Sequence, residues 1–161
     1  MNDIDCNVRP MHIADFPPVK ILWERSAGVG LGESDTLEGI AAFLLRNPGL
    51  SVVAESLAGE IIGAVLCGHD GRRGYLHHLA VAAAHRKRGI ARRLVEHCFS
   101  SLARAKIPKC NIFVLREIPE AVAFWTHNGW TSPAWQVMQK RVDGSEDVAS
   151  GALAPSARVA R

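Results

Sequence analysis

The sequence predicts an α/β (α+β) fold, a mixed and mostly antiparallel sheet flanked by about four helices, and three observations predict it. Apolar, β-branched runs alternate with helix-period segments in the order β-α-α-β-β-β-α-β-α-β. The connections Leu57-Ala58-Gly59 and His69-Asp70-Gly71-Arg72-Arg73-Gly74 have hairpin chemistry, so the strands they join pair antiparallel. Finally, Leu79 to Arg92 passes from an apolar run through a basic, glycine-punctuated turn into a long amphipathic helix.

The elements follow in order. Asn7-Val8-Arg9-Pro10 closes a short first strand. Asp15 is placed to cap a helix whose first turn holds Pro17 and Pro18, where a missing N–H costs little. Val19, Leu22 and Trp23 mark its buried face, and Gly28 stops it. The glycine-rich Gly28 to Glu33 has no strand before it and reads as a mobile loop on the substrate side. Asp35 and Glu38 make a capping-box-like start for a second helix, carried by Leu37, Ile40, Ala41 and Leu44 to Pro48-Gly49. Ser51 to Ser56, Glu60 to Gly68 and Tyr75 to Val81 are the next three strands. On the last of these, regular alternation sends Tyr75, His77 and Leu79 to one face and Leu76, His78 and Ala80 to the other.

The helix after the basic turn carries Ile90, Leu94, Val95, Cys98, Phe99 and Leu102 on one side, starts at about Gly89 and runs to about Lys106. Asn111 to Leu115 is an unbroken apolar run, as in a strand buried on both faces. Pro119 opens a further helix through Phe124 and Trp125 to the terminator Asn128-Gly129, and Trp135 to Val142 forms a closing strand. Residues 1–142 make one domain, and the small, polar residues 143–161 form a disordered tail.

The basic turn carries the chemistry. A helix's first turn presents N–H groups without intrahelical partners at the positive end of the macrodipole, and so attracts anions. Gly89 lets an anion approach the backbone, while Arg86, Lys87, Arg88, Arg92 and Arg93 add positive charge where the dipole favours acids. The turn reads as a phosphate or pyrophosphate cradle. It spells neither the P-loop string nor the G-x-G-x-x-G dinucleotide fingerprint.

The string that does fit is R-x-x-G-x-A, as Arg86-Lys87-Arg88-Gly89-Ile90-Ala91 directly after a strand. It resembles the acetyl-CoA motif of the GNAT superfamily of N-acetyltransferases, and the element order matches that family's topology over about residues 5 to 142. The resemblance implies a six- to seven-stranded sheet whose fourth and fifth strands splay apart around the pantetheine arm. It implies that Leu79, Ala80 and Val81 bind the acetyl and pantetheine groups through the main chain, with a backbone N–H there as oxyanion donor. Arg86, Lys87, Arg88, Gly89, Ile90, Ala91 and Arg92 would then bind the rest of the co-substrate, with the pyrophosphate on Lys87 to Arg92. The string Ala121-x-x-Phe124-Trp125-x-x-x-Gly129-Trp130 is similar to the family's A-x-x-x-Y-x-x-x-G-F, with Trp125 at the usual tyrosine and Ile118 at a frequent asparagine. An indole N–H donates a hydrogen bond but not a proton near neutral pH, so the family's frequent general acid is missing there.

The implied reaction is direct attack of an amine on the thioester. On the fourth strand His77 is the candidate base, with a reference pKa near 6.5, and Tyr75 is the single tyrosine of the chain and so the one phenol able to replace the missing acid. The expected function is N-acetyl transfer from acetyl-CoA to a primary amine, of a small molecule or a protein, with no metal. A non-catalytic module that binds CoA or acetyl-CoA, and a nucleotide-binding protein using the same cradle, are the rival classes. A homodimer is implied by analogy alone.

Composition sets the bounds. A chain of 161 residues with 48% hydrophobic and 22% charged residues fits one globular domain. Its net charge of +3 is gathered mainly at one turn and not spread as a stripe with interleaved aromatics, which argues against nucleic acid. Cys6, Cys67, Cys98 and Cys110 stand apart with no C-x-x-C pair, as reduced thiols do. No signal-peptide pattern opens the chain and no apolar run reaches the ~20 residues of a membrane span, so the expected location is the cytoplasm.

Overall fold

The computed structural model describes residues 6–134 and 136–145. Its five strands are β1 (Cys6–Pro10), β2 (Val52–Ser56), β3 (Ile61–His69), β4 (Gly74–Val81) and β5 (Cys110–Ile112). They lie side by side in sequence order, antiparallel from β1 to β4, and β5 joins β4 in parallel. The helices are α1 (Phe16–Glu24), α2 (Leu37–Arg46), α3 (Ile90–Arg104) and α4 (Pro119–His127).

Strand alternation gives the sheet two apolar faces, each with its own core. On one face Val52, Ala54, Val65, Cys67, Leu76 and Val81 pack against Ile90, Leu94, Cys98 and Leu102 of α3 and Trp125 of α4. On the other, Val53, Ala64, Leu66 and Ala80 pack against Phe16, Val19, Leu22 and Trp23 of α1 and Ile40 of α2. Each fully buried large aliphatic side chain contributes about 1.5–3 kcal/mol, which holds α3 on the sheet despite the basic charge in its first turn.

Three local expectations give way. Asp15 stands at the N-cap of α1 but its side chain makes no capping bond; the carboxylate takes the Arg9 guanidinium fork at 2.8 and 2.9 Å and the His12 N–H at 2.8 Å. Asp35 does not start α2. The cap is Thr36, whose hydroxyl accepts the Gly39 N–H at 3.1 Å, because the Asp35 carboxylate is drawn to β4. The run Asn111 to Leu115 is not a strand buried on both faces: β5 ends at Ile112, and Phe113 is more than half exposed.

The sheet therefore has five strands where six or seven were expected. The closing strand is absent from the described residues 136–142, and its proposed start, Trp135, lies outside them. The sequence explains the loss. Neither alternating set of that segment, Val137, Gln139 and Arg141 or Gln136, Met138, Lys140 and Val142, is apolar enough to bury a face. The segment instead runs on the surface, with the Arg141 Nη1 on both oxygens of Glu33 at 2.8 and 2.7 Å. The tail proposed from residue 143 lies beyond the described residues after Ser145.

Candidate active site

The site begins with a break in the regularity of β4. Ala80 pairs with Ala64 and His77 with Leu66, so His78 and Leu79 together stand opposite Val65 alone. That is a β-bulge, and His78 adopts a positive φ of 55°, a conformation histidine tolerates better than most residues. The bulge resets the alternation. Leu76, Leu79 and Val81 pack on the α3 side, whereas His77, His78 and Ala80 all lie on the α1–α2 side. The expected placement of Leu79 beside His77, with His78 opposite, is therefore corrected: the two imidazoles share one face.

At the same place β4 and β5 part. Their pairing runs from Gly74 opposite Cys110 to Leu76 opposite Ile112 and ends there, so from His77 onward this edge of β4 has no β5 ladder. A free edge presents main-chain donors and acceptors to whatever lies between the strands.

His77 sits among rings. Tyr75 and Phe113 stack near-parallel to it at 6.4 and 5.8 Å, and Phe43 of α2 meets it edge-on at 6.1 Å. Burial, followed by the neighbouring His78, lowers its pKa, and Asp35 offsets only part of this. His77 is thus neutral at pH 7. His78 packs against Trp23 at 5.0 Å, and its Nε2 lies 2.8 Å from Asp35 Oδ1. Asp35 also accepts the Gly32 N–H at 2.7 Å. Burial works against its charge, yet the bonds from His78 and Gly32 prevail and hold the carboxyl below its ordinary range. The indole Nε1 of Trp23 is buried without a hydrogen-bond partner among the described residues.

After β4 the chain makes a turn of 3₁₀ helix at Ala83–His85 and reaches the basic loop. Lys87 and Gly89 take positive φ values of 60° and 78° on either side of Arg88, and Gly89 is the residue before α3. The first helical bond is donated by the Arg93 N–H to Gly89 O at 3.1 Å. The N–H groups from Lys87 to Arg92 consequently have no main-chain acceptor among the described residues, which is the donor set an anion needs. Arg86 braces the loop, its Nε donating to Val81 O at 3.0 Å, and Arg92 pairs with Glu96 at 2.7 Å. Lys87 and Arg88 are exposed.

The basic turn, His77 and Tyr75 were singled out from the sequence; three features of their surroundings were not. The Asp35–His78 pair spans 43 residues and depends on the bulge. The Phe113 stack depends on the early end of β5, and the Arg86 brace on the turn before the loop. A signal for the first was present in the Gly32-x-x-Asp35 turn and the adjacent histidines. Trp125 is buried between Phe124 and Trp130, at ring distances of 5.1 and 4.8 Å, as a core residue. Among the described residues no group of three or more His, Cys, Asp or Glu is placed to hold a metal ion.

Comparison with known proteins places the sequence and the fold. Residues 17–130 match the sequence model of the acetyltransferase (GNAT) family. An acetyltransferase of Sodalis glossinidius is 35% identical over 107 residues, covering 66% of this chain and 74% of that protein. Among solved structures, Ard1 from Thermoplasma volcanium has the same fold with a TM-score of 0.72 at 17% identity, over 81% of this chain and 86% of that one. A Mycobacterium tuberculosis protein solved in complex with CoA has a TM-score of 0.66 at 19% identity, over 83% and 76% of the two chains.

Proposed function

The chain belongs to the acetyltransferase (GNAT) family, and from that premise we propose that it transfers the acetyl group of acetyl-CoA to the nitrogen of a primary amine. The observation that carries the reading is the run of N–H groups from Lys87 to Arg92 without a main-chain acceptor among the described residues, reached by one 3₁₀ turn from a strand whose edge is free of β5. In this reading that run, with the Lys87 and Arg88 side chains, holds the pyrophosphate. Arg86 keeps the loop in shape through Val81 O. The pantetheine arm lies along β4 at Leu79, Ala80 and Val81, where a ligand with amide groups completes the ladder that β5 leaves off.

The bound thioester supplies an activated acyl carbon. What the protein must add is an N–H for the developing oxyanion and an acceptor for the amine's proton. The bulge supports the first, because it turns main-chain groups of His78 and Leu79 out of the β3 ladder. The aromatic face of Tyr75, His77 and Phe113 supports a wall for the acceptor, with His77 neutral within it.

A second reading, a CoA-binding module without turnover, draws on Trp125, which fills the core at the position of the family's tyrosine. One experiment separates the two. Calorimetric titration with CoA is run beside thiol release from acetyl-CoA against a panel of primary amines. Transfer supports the enzyme; binding without transfer to any amine supports the module. Gly89→Asp should abolish CoA binding with the fold retained, and Gly89→Asn, which carries the same backbone demand without the charge, should lose less. Unchanged affinity in Gly89→Asp would overturn the cradle.

A further inference from the structure

We propose that His78, oriented by Asp35, is the group that takes the proton from the acceptor amine, an inference that rests on the acetyl-transfer reading above. Regular alternation hides this residue on the far face of β4; the bulge delivers it to the same face as His77 and to the point where the β4–β5 ladder stops. Base and open edge therefore meet at adjacent residues of one strand.

The hydrogen bond fixes the tautomer. A carboxylate only accepts, so with Asp35 Oδ1 at 2.8 Å the neutral ring must carry its proton on Nε2, and the lone pair lies on Nδ1. Nδ1 makes no hydrogen bond within the described residues. Asp35 is itself fixed, by the Gly32 N–H at 2.7 Å, and its negative charge stabilises the imidazolium that forms. His77 has neither advantage. Tyr75 and Phe113 lie near-parallel to its ring at 6.4 and 5.8 Å, and it makes no hydrogen bond to a carboxylate within the described residues. The titratable groups facing His78 are Asp35 from the loop before α2 and His77 beside it, at a ring distance of 6.3 Å, while α1 presents the neutral Trp23.

The step balances. An N–H bond of the ammonium breaks and an Nδ1–H bond forms on His78. The freed nitrogen lone pair forms the C–N bond to the acetyl carbon, and the C–S bond breaks with its electron pair passing to sulfur. The nitrogen then gives up a second proton to the thiolate, and the imidazolium returns its own to solvent. Asp35 is a positioning residue throughout.

The substitution that isolates this role is His78→Gln, since the glutamine Nε2–H replaces the donor to Asp35 and no base remains. CoA affinity should match the wild type, with the melting temperature lowered only by the added strain at the positive φ and the lost contact with Trp23. Thiol release with the best amine of the panel should fall about 10²-fold or more at pH 7 and recover toward wild type above about pH 10, where an alkyl amine is its own free base. Nitrogen-15 NMR of the wild-type protein should find neutral His78 protonated on Nε2, and Asp35→Asn should release that preference. His77→Gln should keep the wild-type pH limb. A His78→Gln profile that parallels the wild type at every pH, an Nδ1–H tautomer, or a limb lost in His77→Gln instead would each overturn the assignment. Wild-type protein that binds CoA and acetylates no amine would instead overturn the acetyl-transfer reading, and the base with it.

Discussion

His77 is neutral in the folded chain because burial outweighs the nearby Asp35 charge, and this has a cost in acid. The unfolded chain takes up a proton near pH 6.5, whereas the folded chain must reach a lower pH to do so. The stability tied to this residue is therefore full above pH 6.5 and is lost as pH falls through that value toward the folded pKa. His77→Phe keeps a ring between Tyr75 and Phe113 and removes the titration. Urea unfolding from pH 7 to 5 should show an acid slope shallower than wild type by at most about 1.4 kcal/mol per pH unit. Asp35 acts in the same direction at lower pH, since its depressed pKa contributes stability above the ordinary carboxylate range that is lost on protonation. An identical slope in His77→Phe would show that the imidazole titrates alike in both states.

At the scale of elements, α3 connects core packing to the cradle. Gly63 of β3 lies beneath its first turn, where an added Cβ would come 3.1 Å from Leu94 Cδ1 and 3.2 Å from Ile90 Cγ2. Gly63→Val would lift the start of α3 from the sheet, at a cost of about 1–3 kcal/mol. Because the same turn carries the Lys87 to Arg92 donors, melting temperature and CoA affinity should fall together; a stability loss with full affinity would show that the cradle does not depend on this packing. The helix and the loop before it were legible in the sequence for a local reason: a 3.6-residue period beginning at Ile90 and a glycine at Gly89 depend on neighbours in the chain. The bulge was not legible, because Tyr75 to Val81 alternates acceptably in either phase and the choice lies with Val65 on another strand. The apolar Phe113 and Val114 looked like strand, but β5 ends where its pairing with β4 stops, at Ile112 opposite Leu76. Asp35 has the side chain of a cap and is taken by a histidine far along the chain.

For the molecule as a whole, one sheet is shared by two cores, and the tryptophans sample both: Trp23 on the α1–α2 side, Trp125 and Trp130 on the α3–α4 side. Since Val52, Val53 and Ala54 of one strand feed both cores in turn, neither core survives loss of the other. Fluorescence of Trp23-only and Trp125-only variants and far-ultraviolet circular dichroism should give coincident urea transitions; separated midpoints would show that the layers unfold independently. The bulge at His78 also bears on how these molecules behave toward one another. An open strand edge is a template on which other chains polymerise. On this stretch of β4 the template is the few residues from His77 to Val81, and it is interrupted at its second position by a residue with positive φ, so a flat strand cannot dock on it in continuous register. The irregularity that brings two histidines onto one face thus also disfavours strand addition at this stretch of edge.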